Sequence, residues 1–180
     1  MLSLSRAPWL VGCRRCTGIV LVALGATLLG CGSAEPRVDA TSGAHSVVLG
    51  TGEAEFESMV GEPRIRLVHG AQGGFHVWAS FLAYGFESQA LDLTLTTRVE
   101  GAAENLVMHA RLTTRELLDA DGAPARSFAG FPAQVRDARC ADGRRVELQL
   151  HLSEPGGGAA DDVRHCVAEV DEELRSTECP

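Results

Sequence analysis

Arg145-Val146-Glu147-Leu148-Gln149-Leu150-His151-Leu152-Ser153 decides the fold class. Val146, Leu148, Leu150 and Leu152 occupy every second position, and Arg145, Glu147, Gln149 and His151 stand between them. Side chains alternate across a strand with period two, so the stretch predicts a strand with one face on a core and the other in water. On a helix the same four apolar residues would spread around the axis.

The same pattern recurs outward from there. Glu154–Ala160 is a glycine-rich turn, and Asp162–Val170 is expected as the last strand, ahead of an acidic stretch, 171–180, with room for one helical turn. A hairpin centred near Gly157 would set Cys166 opposite about Leu148. Upstream, Leu91, Leu93, Leu95, Thr97 and Val99 alternate with Asp92, Thr94, Thr96, Arg98 and Glu100. Leu106, Met108, Ala110 and Leu112 repeat the pattern after a hairpin loop at 101–105. Phe128–Val135 reads as irregular, with Pro132 marking an edge or turn. In Asp119-Ala120-Asp121-Gly122 the opening resembles a Ca²⁺ loop, but Ala123-Pro124 and the lack of a correctly spaced glutamate break it, leaving an Asp-Gly turn.

Nearer the N-terminus, Ser46–Gly50 is a first strand, 51–61 an acidic connection with Phe56 and Met59 as core pegs, and Arg64–His69 a strand. Gly70, Gly73 and Gly74 then supply a tight turn. The following strand, Phe75–Tyr84, has a wholly apolar face (Phe75, Val77, Ala79, Phe81, Ala83) and a mixed aromatic face (His76, Trp78, Ser80, Leu82, Tyr84). Such a mixed face is either half-covered by a loop or exposed for binding; His76, Trp78, Leu82 and Tyr84 are its candidate contact residues. Seven or eight short strands without an amphipathic helix predict an all-β fold: a single antiparallel β-sandwich over 46–180. An immunoglobulin-like Greek key is the expected topology. Trp78 suits the buried tryptophan of that fold, although the cysteine pair flanking it there is absent.

Residues 1–30 carry Arg6, Arg14 and Arg15 and no acid, and Ile19–Leu29 is an apolar run. That run is far short of the ~20 residues a spanning helix needs, and has the length of a signal-peptide core. Leu28-Leu29-Gly30-Cys31 closes it and resembles the lipobox of bacterial lipoproteins. The resemblance implies cleavage before Cys31, acylation of Cys31, and an anchor in the lipid bilayer that several acyl chains make effectively permanent. Gly32 after the cysteine implies the outer membrane of a Gram-negative cell. Residues 31–45 then form the lipidated cysteine and a flexible tether. Further along, Gly70-x-Gln72-Gly73-Gly74-Phe75-His76-Val77-Trp78 resembles a stretch of secreted proteins and lipoproteins from GC-rich Gram-negative bacteria, a group that brings no assigned activity.

This leader reorganises the remaining counts. Beyond Cys31 the chain has 13 arginines against 24 acidic residues, a balance of −11, and it contains no lysine. An acidic domain without a basic stripe argues against nucleic acid and against adhesion to anionic lipid. Cys13 and Cys16 leave with the leader, and Cys31 is consumed by lipid. Cys140, Cys166 and Cys179 remain in an oxidising compartment, predicting one disulfide and one leftover thiol. The favoured pairing is 140–166, with 140–179 and 166–179 as alternatives that would pin the tail. His165 beside Cys166 lacks the spacing of a zinc site. His69 and His76 flank the glycine turn and are the candidate pair for Cu(II) or Zn. His109 and His151 fall on polar strand faces. No nucleophile elbow, P-loop, zincin or dinucleotide motif occurs, so no enzyme and no cofactor are expected. The expectation is a non-catalytic envelope module binding a protein or glycan, with a metal-binding lipoprotein as the alternative.

Overall fold

The computed structural model describes residues 44–70, 74–136 and 138–176. The leader, Cys31, most of the tether, the tip of the glycine turn and Cys179 lie outside the described residues. The regular structure of the described chain is almost entirely strand: β1 (Ser46–Thr51), β2 (Glu57–Ser58), β3 (Arg64–Arg66), β4 (Val68–His69), β5 (Phe75–Tyr84), β6 (Ala90–Val99), β7 (Leu106–Thr113), β8 (Arg115–Leu118), β9 (Pro124–Val135), β10 (Arg145–Ser153) and β11 (Ala159–Glu169). Two 3-10 turns, Ala138–Cys140 and Glu172–Leu174, complete it.

The strands form two packed sheets. Sheet A runs β2-β1-β5-β9-β8, with β4 also paired to β5; sheet B runs β3-β11-β10-β6-β7. Every pairing is antiparallel except β3 with β11. The expected all-β sandwich is what forms. Its core holds the alternating residues of both sheets: Val77, Ala79, Phe81 and Ala83 from β5, Leu91, Leu93 and Leu95 from β6, and Val146, Leu148, Leu150 and Leu152 from β10. Fully burying a Leu or Val contributes about 1.5–3 kcal/mol, so the β10 alternation alone is a large share of the driving force.

Side chains seal both seams between the sheets. On one, the Leu49 N–H of β1 donates to Asp162 Oδ2 at 2.7 Å, and Arg164 Nε donates to the same oxygen at 2.8 Å. On the other, the upper part of β9 has no strand beyond it, and Thr97 Oγ1 donates to the Gln134 carbonyl at 2.5 Å. Unpaired backbone groups at a buried edge are costly, and these contacts satisfy them.

Several sequence expectations shift. Arg64–His69 splits at the buried Leu67, giving β3 to sheet B and β4 to sheet A. Residues 124–135 form one long strand rather than an irregular stretch, with a register shift opposite Ala79–Phe81 and Gly130 at φ 78°. Pro132 fits because it stands on the half of β9 that has only one neighbour. Cys166 faces Val146, since the hairpin turns one residue earlier than expected. Met59 is a core peg, but Phe56 is not: it lies over Gly50 on the outside of sheet A. Trp78 also points away from the core, so it is not a buried core tryptophan.

Candidate functional site

The second face of β5 is covered, not displayed. His76 is 8% exposed, Leu82 9% and Ser80 0%; Trp78 and Tyr84 are half-buried. The cover is the connection after β1. Gly130 N–H donates to the Gly52 carbonyl at 3.1 Å, and a Cβ on Gly130 would collide with the Glu53 carbonyl. A Cβ on Gly50 would likewise strike the Phe56 ring. Glycines inside strands are here places where another segment lies directly on the sheet. The hydroxyls of Thr51 and Ser80 tie the layer together, Thr51 Oγ1 donating to the Trp78 carbonyl at 2.8 Å and Ser80 Oγ to the Thr51 carbonyl. Of the two readings of this face, half-covered or exposed, the covered one holds and the exposed aromatic strip at His76, Trp78, Leu82 and Tyr84 does not: residues 52–56 lie over the flanking strands at Gly50 and Gly130, and Asp119 meets the Tyr84 hydroxyl.

Within that layer His76 is unusual. Its ring meets Trp78 edge-on with centroids 4.3 Å apart, and its Nε2 is buried without a hydrogen-bond partner. Burial holds its pKa below the ordinary histidine value, against the raising effect of Glu53. Tyr84, at the other end, donates its hydroxyl to Asp119 Oδ2 at 2.9 Å. Burial, then that bond, push the Tyr84 pKa up to about 12. Asp119 is itself held low by the Ala123 N–H above all. Its Oδ1 accepts from the Asp121 and Ala123 amides, which makes 119–123 an ordinary aspartate-capped turn.

The metal pair does not assemble. His69 stands opposite Phe75 and His76 opposite Val68 in the β4–β5 ladder. Directly opposed residues share a face, so the two imidazoles lie on opposite faces of the sheet. His69 packs on Phe75 at 5.0 Å instead. Among the described residues no three His, Cys, Asp or Glu side chains gather as a metal site. His109 bonds to Thr94, and His151 and His165 pair with Asp161 and Glu147, all on the open face of sheet B.

The cysteines also differ from expectation. Cys166 is a free thiol, fully buried in the core, with its pKa pushed up to about 11 by burial. The 140–166 pairing is thus corrected, since Cys166 faces Val146 inside the sandwich. Cys140, in the first 3-10 turn, is disulfide-bonded and so not a free thiol.

What the cover leaves open is a cleft of about 600 Å³ between residues 53–56, the β7–β8 corner and β9. Glu53, Glu55 and Glu116 line it with a single cation, Arg115, over an apolar surface that includes Phe56, Leu117 and Phe128. Glu116 is also 3.4 Å from Arg126 Nη1. The volume is that of an ordinary ligand pocket. Its hydroxyls are Thr113 and Ser127. Sequence reading missed β8 because its four residues are all exposed and do not alternate. The legible signals were Gly50 and Gly130, glycines within strands. No family model matches the chain, and neither a curated protein nor a solved structure matches it.

Proposed function

We propose that this chain is an acylated lipoprotein of the bacterial outer membrane whose sandwich domain binds an envelope partner, protein or glycan, without catalysis. The lipobox and tether support the location. The cleft beside residues 53–56 is the observation that carries the binding reading: three carboxylates to one guanidinium above aromatic and aliphatic walls suit a partner presenting basic and apolar groups together. The domain's topology reads as an immunoglobulin-like Greek key. In support, β1-β5-β9-β8 corresponds to the A-B-E-D sheet of that fold, and β11-β10-β6 to G-F-C with β7 added beside C.

Two measurements test the reading. Cys31→Ala should abolish radiolabelled acyl incorporation and release the protein from membranes. A photo-crosslinking residue at Leu117 should trap a partner in cells, and Glu55→Arg with Glu116→Arg should remove the adduct. An adduct equally strong from Gln149 on sheet B, or insensitive to the charge reversal, sinks the cleft as the binding site.

A further inference from the structure

β8 stands at one end of sheet A, and among the described residues it pairs with β9 alone. All four of its residues are exposed, Leu118 at 69%. The ladder register decides which backbone groups face outward. Leu118 stands opposite Pro124 and Leu117 opposite Ala125, and at the turn the Asp119 N–H donates to the Ala123 carbonyl at 2.9 Å. Bonded and non-bonded pairs alternate along an antiparallel ladder. Leu117 and Arg115 therefore bond across to β9, while the N–H and C=O of Glu116 and Leu118 point away from the sheet. Pro124, which has no N–H, fits the non-bonded place opposite Leu118. An exposed edge of this kind is a template for a further strand.

Resting on the reading of the cleft as the binding site, we propose that its partner is an extended peptide segment alternating basic and apolar residues, taken up as an added strand on the outer edge of β8. Backbone groups supply the bonding, since a strand laid beside β8 pairs with the outward amides and carbonyls of Glu116 and Leu118. Charge selects the side chains. Glu53 and Glu55, on the wall formed by residues 53–56, make no ion pair among the described residues, and Glu116 has only Arg126, at 3.4 Å. Against these carboxylates the lining sets Arg115 alone. The chain beyond Cys31, at a balance of −11, adds to the attraction for a basic partner. Alternation follows from strand geometry. Side chains of an added strand point to the two sides of the sheet edge in turn, one set beside Glu116 and the next beside Leu117. Leu117 and Phe56, both in the lining, give the apolar set its contact. An acidic glycan would be repelled by the same carboxylates.

Fluorescence anisotropy with the full chain tests this, using a labelled heptapeptide that alternates arginine and valine. Binding should weaken about tenfold or more for a glutamate–valine peptide, and likewise for the protein carrying Glu55→Arg with Glu116→Arg. N-methylation separates strand addition from charge attraction alone, because only every second peptide N–H faces β8. Methylating the arginine amides in one peptide and the valine amides in another should cost about tenfold in one series and less than about twofold in the other. Hydrogen exchange of the Glu116 and Leu118 amides should slow about tenfold on binding, with the Leu117 amide, already bonded to β9, little changed. Equal losses from both methylated peptides, or unchanged exchange at Glu116 and Leu118, overturn strand addition. If the Leu117 photo-adduct forms in cells and is lost on charge reversal, yet the arginine–valine peptide does not bind, this inference falls and the cleft remains a binding site. Binding of an N-acetylglucosamine hexamer in place of the peptide has the same consequence. Loss of both the adduct and peptide binding takes the cleft reading with it.

Discussion

β5 and β6 are consecutive strands of equal length, and their outer faces have opposite fates. Along β6 buried residues alternate with partly or fully exposed ones: Asp92, Thr94, Thr96 and Arg98 look outward onto a polar ladder shared with β7, β10 and β11. Along β5 eight of ten residues are buried, on both faces. The difference comes from what crosses the sheet. The outward residues of β6 stay partly or fully exposed, whereas residues 52–56 lie over β1 and β9, the two neighbours of β5, at Gly50 and Gly130. A sandwich with one bare and one covered face has, in effect, a third layer on one side. The cleft lies beside that layer, at its margin towards β8.

Breaking the cover should have the largest effect. Gly130→Val combines a left-handed backbone with a collision against the Glu53 carbonyl and is expected to cost roughly 3–5 kcal/mol in denaturant unfolding. Gly122→Val has a similar φ but open space around it, and should cost only about 1–2 kcal/mol. If the two cost the same, residues 52–56 do not bear on the sheet.

Next comes the packed layer itself. Trp78→Ala should lose about 3 kcal/mol, because the half-buried indole packs edge-on against the buried His76 ring. Thr96→Ala on the open face of sheet B should stay within about 0.5 kcal/mol. Equal, small losses at both positions would return Trp78 to an exposed binding strip.

An alkaline titration probes the core between the faces. Cys166 holds its proton more tightly in the folded chain, so its contribution is complete below pH 9 and is lost as pH rises towards about 11. The loss should be roughly 2–3 kcal/mol across that window and absent in Cys166→Ala. A wild-type slope that survives the substitution would assign it to Tyr84, whose pKa is raised to about 12.

The smallest effect belongs to His76. Its folded pKa lies below the ordinary value, so the unfolded chain binds the proton first and stability falls as pH drops through 6.5. Urea midpoints at pH 7.5 and pH 5 should move apart more in the wild type than in His76→Phe. No difference between them would mean that His76 is hydrated rather than buried.

The sandwich was legible because alternation is a local code. Val146–Leu152 and Leu91–Val99 each state which face is apolar, and burial of that face leaves few architectures other than two packed sheets. The apolar face of β5 was equally plain. Its other face was not, because His76, Trp78, Leu82 and Tyr84 carry the same letters whether a segment covers them or solvent does. Likewise, His69 and His76 are close in sequence, but the cross-strand register places them on opposite faces. Cys140 and Cys166 looked like partners until packing put one thiol in the core. Periodic burial is thus determined residue by residue along the chain. Which faces are covered, which histidines meet and which cysteines pair depend on contacts between segments far apart in sequence, and only the tertiary structure decides those.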